Sequence, residues 1–253
     1  MTRDTMTKDL AKVWAERMTK SERDQTFPDT EPRDAATIML IDRSGSKPKV
    51  LLGRRHASHK FLPGKFVFPG GRIEPLDKSM PAVSELHPDV EKKLLTRVKD
   101  LGSDFPRAIT LAAVRELAEE TGLLLGVQGK EPLRTPGEIW EEFGKACIYP
   151  DLGNMHFIAR AITPPRRPRR FDTRFFTADA SAIAHRIEGV VGPDSELVEL
   201  VWVPIEEATH LDMPTITGIV LEELAARVAA GMHHDLPVPF YFMVDKQFFR
   251  ELL

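Results

Sequence analysis

The chain has 253 residues, with 35 Lys and Arg against 38 Asp and Glu, so its formal net charge is −3. This length suffices for one large domain or two small ones with their own cores. The near-neutral charge argues against a broad nucleic-acid-binding surface. The single cysteine, Cys147, excludes an internal disulfide and a zinc site built on several thiolates.

Two further features of the sequence concern its location. No stretch approaches the roughly 18 consecutive apolar residues of a membrane span. Residues 1–10 lack the apolar core of a secretory signal. Because sparse cysteine also fits a reducing compartment, we expect a cytoplasmic protein without a membrane or nucleic-acid partner.

The first 33 residues are rich in charge and threonine, and they predict a helical or loose arm before a domain over 34–253. Apolar runs at 36–41 and 49–53 flank a turn with Gly and Pro, which is typical of a β-hairpin. A third strand is predicted over 66–68.

The stretch at about 78–107 differs in pattern and predicts an insertion with a polar helix over 89–98. After it, the helical period predicts a helix over 107–121 that ends at Gly122. A weaker pattern predicts a helix over 136–146.

The remaining segments again alternate between strand and helix. They predict strands over 155–162, 171–176, 197–203 and 238–244, a short helix opened by Pro204, and an amphipathic helix over 215–230. Helices interleaved with two hairpins predict an α/β fold with a mixed sheet.

The helix predicted over 107–121 carries the most informative side chains. At about 100° per residue, Glu116, Glu119 and Glu120 share one stripe, opposite an apolar face. Like charges three and four residues apart destabilise a helix by a few tenths of a kcal/mol per pair, so the stripe needs a cation or full solvation. Mg²⁺ is a suitable cation for carboxylate oxygens, and a solvated acidic face is the alternative.

A Gly-rich turn, Pro69-Gly70-Gly71, lies upstream of this helix and directly after a predicted strand. Glycine there lets the backbone approach an ion or a ligand closely. Turn and helix together resemble the Nudix box, G-x5-E-x7-R-E-U-x-E-E-x-G-U, in which U is aliphatic. Gly71 opens the pattern, and Asp77 stands where the pattern has Glu. The second half is filled by Arg115, Glu116, Leu117, Glu119, Glu120, Gly122 and Leu123.

The spacing departs from the pattern, because residues 78–114 number 37 where the box has 7, an excess of 37 − 7 = 30. The excess falls in a loop, where each doubling of length costs only about 0.6 kcal/mol. A split box with Asp at this point is similar to the branch of the family that includes coenzyme A diphosphatases. The segments 50–71, 170–176 and 201–204 also look like that branch, so the resemblance covers about residues 34–245.

The resemblance implies a Nudix α/β/α sandwich with a mixed sheet and a helical insertion inside the box. It also implies a hydrolase that cleaves a nucleoside diphosphate linked to another group with the help of Mg²⁺ or Mn²⁺. The implied metal ligands are Glu116, Glu119, Glu120 and the backbone carbonyl of Gly70, and Arg115 is implied to orient a glutamate. A bound metal neutralises phosphate charge and lowers the pKa of an attacking water.

Other candidate residues lie outside the box helix. The general base is a box glutamate or one of three later carboxylates, Asp194, Glu196 and Glu199. Phosphate groups could be bound by arginines on strands and in the basic loop 166–170. The substrate-binding candidates are Arg54, Arg55, Gly71, Arg170 and Arg174.

The best candidate activity is a coenzyme A or acyl-coenzyme A diphosphatase, by resemblance to the split-box branch. The alternatives are an ADP-ribose or dinucleotide diphosphatase and a non-catalytic module that senses a nucleotide. Retention of Glu116, Glu119 and Glu120 favours an enzyme over the module. The insertion could cover a long substrate arm or form a dimer contact, so a homodimer stays open.

Overall fold

The structure is a computed structural model that describes residues 3–21, 23–59, 62–98 and 102–253. Its helices are α1 (Arg3–Lys20), α2 (Pro88–Leu94), α3 (Phe105–Thr121), α4 (Trp140–Ala146), α5 (Ile205–Ala208) and α6 (Thr215–Ala229), with 3-10 turns at Pro75–Ser79 and Ala180–Ala182. Its strands are β1 (Arg33–Asp42), β2 (Lys49–Arg55), β3 (Phe66–Val67), β4 (Gly70–Arg72), β5 (Leu123–Leu125), β6 (Val127–Gln128), β7 (Ile148–Tyr149), β8 (His156–Ile162), β9 (Phe171–Asp179), β10 (Ile183–Arg186), β11 (Leu197–Pro204), β12 (Pro239–Val244) and β13 (Gln247–Leu252).

A mixed sheet forms the centre of the domain. Seven of its strands run in the order β11-β2-β1-β9-β8-β12-β13, while β3 pairs with β2 and β4 pairs with β1. β1 lies parallel to β9 and antiparallel to β2 and β4. The predicted mixed sheet is therefore confirmed, as are the two predicted hairpins β1-β2 and β8-β9.

Alternate residues of β1 point into two separate cores. Ile38 and Leu40 pack on the side of α3, whereas Met39 and Ile41 pack on the side of α6. Successive side chains of a strand point to opposite faces, so one apolar strand serves both layers. The result is the predicted α/β/α sandwich.

Helix boundaries differ from the prediction at four places. α2 ends at Leu94 rather than 98, since Arg97 has a φ of 56°, outside the helical region. α3 begins at Phe105, two residues early, because Pro106 occupies the first turn, where its missing N–H costs nothing. α4 begins at Trp140 rather than 136, because Gly137 and Glu138 have φ of 115° and 56°, outside the helical region. Pro204 ends β11 and precedes α5 instead of lying inside it.

The predicted N-terminal arm is helical, and its second half packs against the domain. Trp14 and Met18 are 3% and 6% exposed and belong to the core on the α6 side. The indole Nε1 of Trp14 and the guanidinium of Arg17 both donate to Glu222 of α6, each over 2.5 Å. Helix α1 thus covers α6.

The insertion contributes to the core on the α3 side. Met80, Val90 and Leu94 are at most 1% exposed and pack with α3 residues. Arg160 of β8 donates to the carbonyls of Thr96 and Arg97 over 3.1 and 3.2 Å, which fixes the end of the insertion to the sheet. No helix among the described residues combines the length and the apolar character needed to cross a bilayer.

Candidate active site

The two halves of the split box are joined by a buried ion pair. Arg115 of α3 donates from Nε to Asp77 Oδ1 over 2.9 Å, and the two side chains are 1% and 0% exposed. Asp77 Oδ2 accepts the backbone N–H of Glu74, and Arg115 Nη2 donates to the carbonyl of Arg72 over 2.7 Å. The guanidinium therefore ties the Gly-rich turn to α3.

Arg115 also contacts two box carboxylates. Its Nη1 lies 2.9 Å from Glu116 Oε1 and 2.8 Å from Glu119 Oε2. Burial alone would lower the pKa of Arg115, but its hydrogen bond to Asp77 and the charges of Glu116 and Asp77 raise it above the ordinary value. Arg115 remains a cation that positions these carboxylates.

The two glycines of the turn are required by close approach rather than by a left-handed backbone. A Cβ on Gly71 would overlap the carboxylate of Glu116, and a Cβ on Gly70 would overlap the carbonyl of Ala36 and the side chain of Thr37. The carboxylate of Glu116 can therefore lie directly against β4 because Gly71 has no side chain.

Glu120 is the most buried carboxylate of the three. It is 8% exposed, and its Oε2 has no hydrogen-bond partner among the described residues. Burial, followed by the charges of Glu196 and Glu116, raises its pKa well above the ordinary value, against the lowering effect of Arg55 and of the Gly70 backbone N–H. Burial likewise raises the pKa of Glu116 to about 7, with Glu119 and Glu196 adding to the shift and Arg115 opposing it.

Glu196 comes from the loop just before β11 and completes the cluster. Its carboxylate lies 2.9 Å from Arg55 Nη1, and its charge acts on both Glu116 and Glu120. Glu199, the other strand candidate, pairs instead with Arg54 over 2.8 Å, and both of these side chains are about 45% exposed. Asp194 is exposed in the loop. Of the three later carboxylates, only Glu196 lies beside the box.

The donor set suits a hard divalent cation. The carboxylates offer oxygen ligands, and the buried, unpartnered Oε2 of Glu120 is an acceptor that a cation would satisfy. Within the described residues, however, no group of three or more His, Cys, Asp and Glu side chains is already arranged as a metal site. Glu119 instead lies against Arg115.

Comparison with solved structures shows the same architecture in one protein of similar sequence. A NUDIX hydrolase from Alicyclobacillus acidocaldarius is 29% identical, covers 78% of this chain and 92% of its own, and superposes with a TM-score of 0.56. The chain has the Nudix hydrolase fold. No family model matches the sequence.

A curated relative supports the same placement. The protein named "Putative nudix hydrolase 7" of Caenorhabditis elegans is 28% identical over an alignment 156 residues long, which covers 57% of this chain and 43% of that protein. The chain thus matches less than half the length of this relative. Both relatives carry the name Nudix hydrolase.

A second Nudix structure is more distant. The NUDIX domain of Shewanella oneidensis NrtR, solved with ADP ribose, is 15% identical, covers 85% of this chain and 97% of its own, and has a TM-score of 0.45.

The arginines predicted to bind substrate separate into two groups around the Nudix box. Arg55 lines a cavity of about 210 Å³ together with Gly70 and Gly71. Arg174 is 1% exposed and lies in a buried ion-pair network with Asp172 over 3.4 Å and with Asp34.

Arg170 and Arg54 also lie outside this cavity. Arg170 donates to Asp29 over 2.7 Å and to the carbonyl of Thr163, so it fastens the N-terminal segment to the β8-β9 hairpin. Arg54 is turned toward Glu199. The structure therefore places Arg55 and Gly71 at the site, and Arg54, Arg170 and Arg174 in structural contacts.

The cavity has an apolar wall that the sequence did not mark as functional. Phe171 and Phe175 of β9 and Ile216 of α6 line it opposite the Gly-rich turn. Their alternation and helical spacing are typical of core residues, so periodicity alone could not separate the wall of a cleft from a core.

Proposed function

We propose that the protein is a divalent-metal-dependent hydrolase that cleaves a nucleoside diphosphate linked to a second group. One observation carries the proposal. The buried carboxylate of Glu120, whose Oε2 has no hydrogen-bond partner among the described residues, is acted on by the charges of Glu116 and Glu196, and Glu120 and Glu116 adjoin Gly70 and Gly71, which line an open cavity. Converging buried carboxylates are costly unless a cation balances them.

Glu116, Glu119 and Glu120 would hold Mg²⁺ or Mn²⁺, with the backbone of Gly70 beside them. The bound cation supplies charge neutralisation on the diphosphate and a water of lowered pKa. Arg115 fixes the position of Glu116 and Glu119 through its hydrogen bonds, and Asp77 holds Arg115 in turn. Arg55, at the cavity wall, is placed to bind a phosphate oxygen.

Glu196 is the proposed general base. It lies beside the carboxylate cluster, yet its side chain is 45% exposed, so it can reach a water at the mouth of the site and release the proton to solvent. Its ion pair with Arg55 orients the carboxylate. The proposed general base, Glu196, and the proposed phosphate-binding residue, Arg55, therefore form one ion pair.

Coenzyme A or acyl-coenzyme A is the proposed substrate, on the strength of the split box with Asp77. ADP-ribose or a dinucleotide is the alternative, because the box carboxylates act on the diphosphate and not on the groups attached to it. The single cysteine, Cys147, supports a reducing compartment, and we propose the cytoplasm.

The test compares wild type with E120Q, which removes the charge but keeps the shape. Hydrolysis is measured with Mg²⁺ and with Mn²⁺ on coenzyme A, acyl-coenzyme A, ADP-ribose, NADH and diadenosine polyphosphates. We expect kcat of E120Q to fall at least about a thousandfold, because a metal ligand is lost, while its circular dichroism spectrum stays that of wild type.

Each outcome of this panel decides between the candidate functions. Preference for coenzyme A supports both the proposed reaction and the proposed substrate. Preference for another diphosphate supports metal-dependent diphosphate hydrolysis but rejects coenzyme A as the substrate. Equal, negligible turnover by wild type and E120Q on every compound would favour the nucleotide-sensing module.

A further inference from the structure

The cavity beside the Gly-rich turn continues into a second cavity. The second cavity has a volume of about 380 Å³ and shares residues of β9, α6 and their flanking loops with the first. The shared residues are Leu62, Thr163, Thr173, Phe175, Pro214 and Ile216. The two cavities therefore form one groove, which we call the β9-α6 groove. Gly70 and Gly71, which adjoin the box carboxylates Glu120 and Glu116, line one end of it.

The far end of the groove is basic. Arg23, Lys65 and Arg167 line it, and no Asp or Glu is among the described residues that line either cavity. Lys65 is paired with Asp212, but neither Arg23 nor Arg167 has an ion-pair partner in the described part of the chain. Arg23 donates to the carbonyl of Met18 and lies 5.0 Å above the ring of Phe248.

The two arginines come from parts of the chain that meet only in the folded protein. Arg23 follows α1, and Arg167 lies in the β8-β9 loop, where its Nη1 donates to the carbonyl of Asp24 over 2.9 Å. Burial, followed by the charge of Arg167, lowers the pKa of Arg23. Two half-buried guanidinium groups that repel each other are suited to binding an anion. The charge of Arg167 also acts on the exposed carboxylate of Asp24, but Asp24 does not line the groove.

We propose that the basic end of the β9-α6 groove binds a second phosphate group of the substrate, remote from the diphosphate that is cleaved. The apolar middle, with Phe175 and Ile216, then holds the body of the nucleoside between the two anionic parts. This inference rests on the proposed function, and it narrows the substrate to a nucleoside diphosphate derivative with a further phosphate. Selectivity at this end depends on Arg23 and Arg167.

The kinetic test uses substrates that differ only in this phosphate. Coenzyme A is compared with dephospho-coenzyme A for a ribose 3′-phosphate, and NADPH with NADH for a 2′-phosphate. We expect wild type to prefer the phosphorylated member of at least one pair. In R167A the ratio of kcat/KM between the members of that pair falls about tenfold to a hundredfold, mainly through KM, because a charge-assisted contact is lost.

A matched control comes from the same loop. Arg169 is exposed and does not line the groove. R169A changes the net charge by the same amount as R167A, but it should keep the wild-type kcat/KM ratio of the substrate pair. R23K keeps the positive charge of Arg23 but lacks the planar guanidinium with its paired N–H donors. We therefore expect its kcat/KM ratio to lie between those of wild type and R167A. An unchanged ratio in both R167A and R23K, or an equal loss in R169A, would overturn the proposal.

Equilibrium binding separates failure of this inference from failure of the proposed function. Without added metal, wild type should bind adenosine 3′,5′-bisphosphate or adenosine 2′,5′-bisphosphate at least about tenfold more tightly than AMP, and R167A should lose that difference. If the difference is present while no diphosphate is hydrolysed, the basic end is correct and the enzyme assignment is wrong. If hydrolysis is robust and neither bisphosphate is preferred, the basic end is wrong and the enzyme assignment stands.

Discussion

At the scale of single residues, the site separates carboxylates that look alike in sequence. Glu196 and Glu199 are three residues apart, but only Glu196 acts electrostatically on Glu116 and Glu120. β11 pairs with β2 with an irregular register between Leu197 and Glu199, so Glu199 is directed to Arg54. A separation of three residues therefore decides which of the two carboxylates lies beside the box glutamates.

This pair offers a direct test of the general base. We expect E196Q to lower kcat about a hundredfold to ten-thousandfold with little change in KM, which is the range for loss of a positioned base. E199Q removes the same charge nearby and should leave both constants within about twofold of wild type. Steady-state kinetics on the best diphosphate of the panel measures both. A full rate in E196Q would remove Glu196 from the mechanism.

A second residue-scale feature is a stack of three histidine rings. The ring of His234 lies between those of His87 and His156, with centroids 4.3 and 4.0 Å apart. Burial, followed by the charges of His234 and Arg227, lowers the pKa of His156 to about 4 from 6.5. The folded state therefore keeps His156 neutral at a pH where the unfolded chain binds a proton.

The sign of the pH effect follows from these two values. The contribution of His156 to stability is complete above pH 6.5 and is lost as the pH falls toward 4. Between pH 7 and pH 5 we expect wild type to lose up to about 2 kcal/mol of unfolding free energy through this group, and H156Q to lose less. Urea unfolding at both pH values measures this, with H210Q, at an exposed position, as the control. Equal pH dependence in wild type and H156Q would contradict the prediction.

At the scale of elements, two segments that look peripheral in sequence prove to be part of the cores. The insertion buries Met80 and Val90 beneath α3, so it is not a detachable cover. Helix α1 buries Trp14 against α6 and leads into Arg23 at the groove. The charge-rich composition of these two segments gave no sign that they are attached to the cores. A few large apolar residues are enough to attach an otherwise polar helix.

The attachment of α1 gives a stability prediction. W14A should lower the free energy of unfolding by about 3–5 kcal/mol, the usual range for removing a large buried aromatic side chain. V13A changes the adjacent residue, which is 48% exposed, and should stay within about 0.5 kcal/mol of wild type. Urea unfolding followed by circular dichroism measures both. A small effect of W14A would mean that α1 is not held on α6 in solution.

At the scale of the whole molecule, the two cores lie on opposite faces of one central sheet and share its strands. β1 contributes side chains to both layers, and β1 and β9 are paired along nine residues. Loss of either layer exposes one face of the same strands, so neither core is expected to survive alone. Unfolding should be cooperative across the sheet.

Tryptophan fluorescence tests this cooperativity. Trp14 reports on the α6 side and Trp140 on the α3 side, and both are buried. In variants that keep only one of them, made with W202F and either W14F or W140F, we expect the fluorescence midpoint in urea to equal the circular dichroism midpoint of the same variant. Two distinct midpoints within one variant would show that the layers unfold separately.

The elements that could be predicted from the sequence are those whose boundaries depend on local residue patterns. The strands of the hairpins, the box helix and its end at Gly122, where φ is 76°, all follow from periodicity and cap chemistry. β13 was missed because its turn, Asp245-Lys246, takes positive φ without glycine and so lacks the usual hairpin signature.

Only those residues of the candidate site that belong to one continuous motif could be predicted from the sequence. The carboxylate stripe on α3 could be read from helical spacing, whereas Arg54, Arg170 and Arg174 looked equally suited to phosphate. Only the tertiary structure shows that buried or neighbouring carboxylates already pair with them. The basic end formed by Arg23 and Arg167 depends on segments about 140 residues apart, which no local pattern brings together.

The ion pair between Asp77 and Arg115 has a consequence for how such a protein can change over time. Since it clamps the two ends of the interrupted motif, the exposed parts of the intervening segment can change in length while the carboxylates keep their places, provided that core residues such as Met80 and Val90 stay buried. The reaction centre and the surface next to it can thus diversify independently.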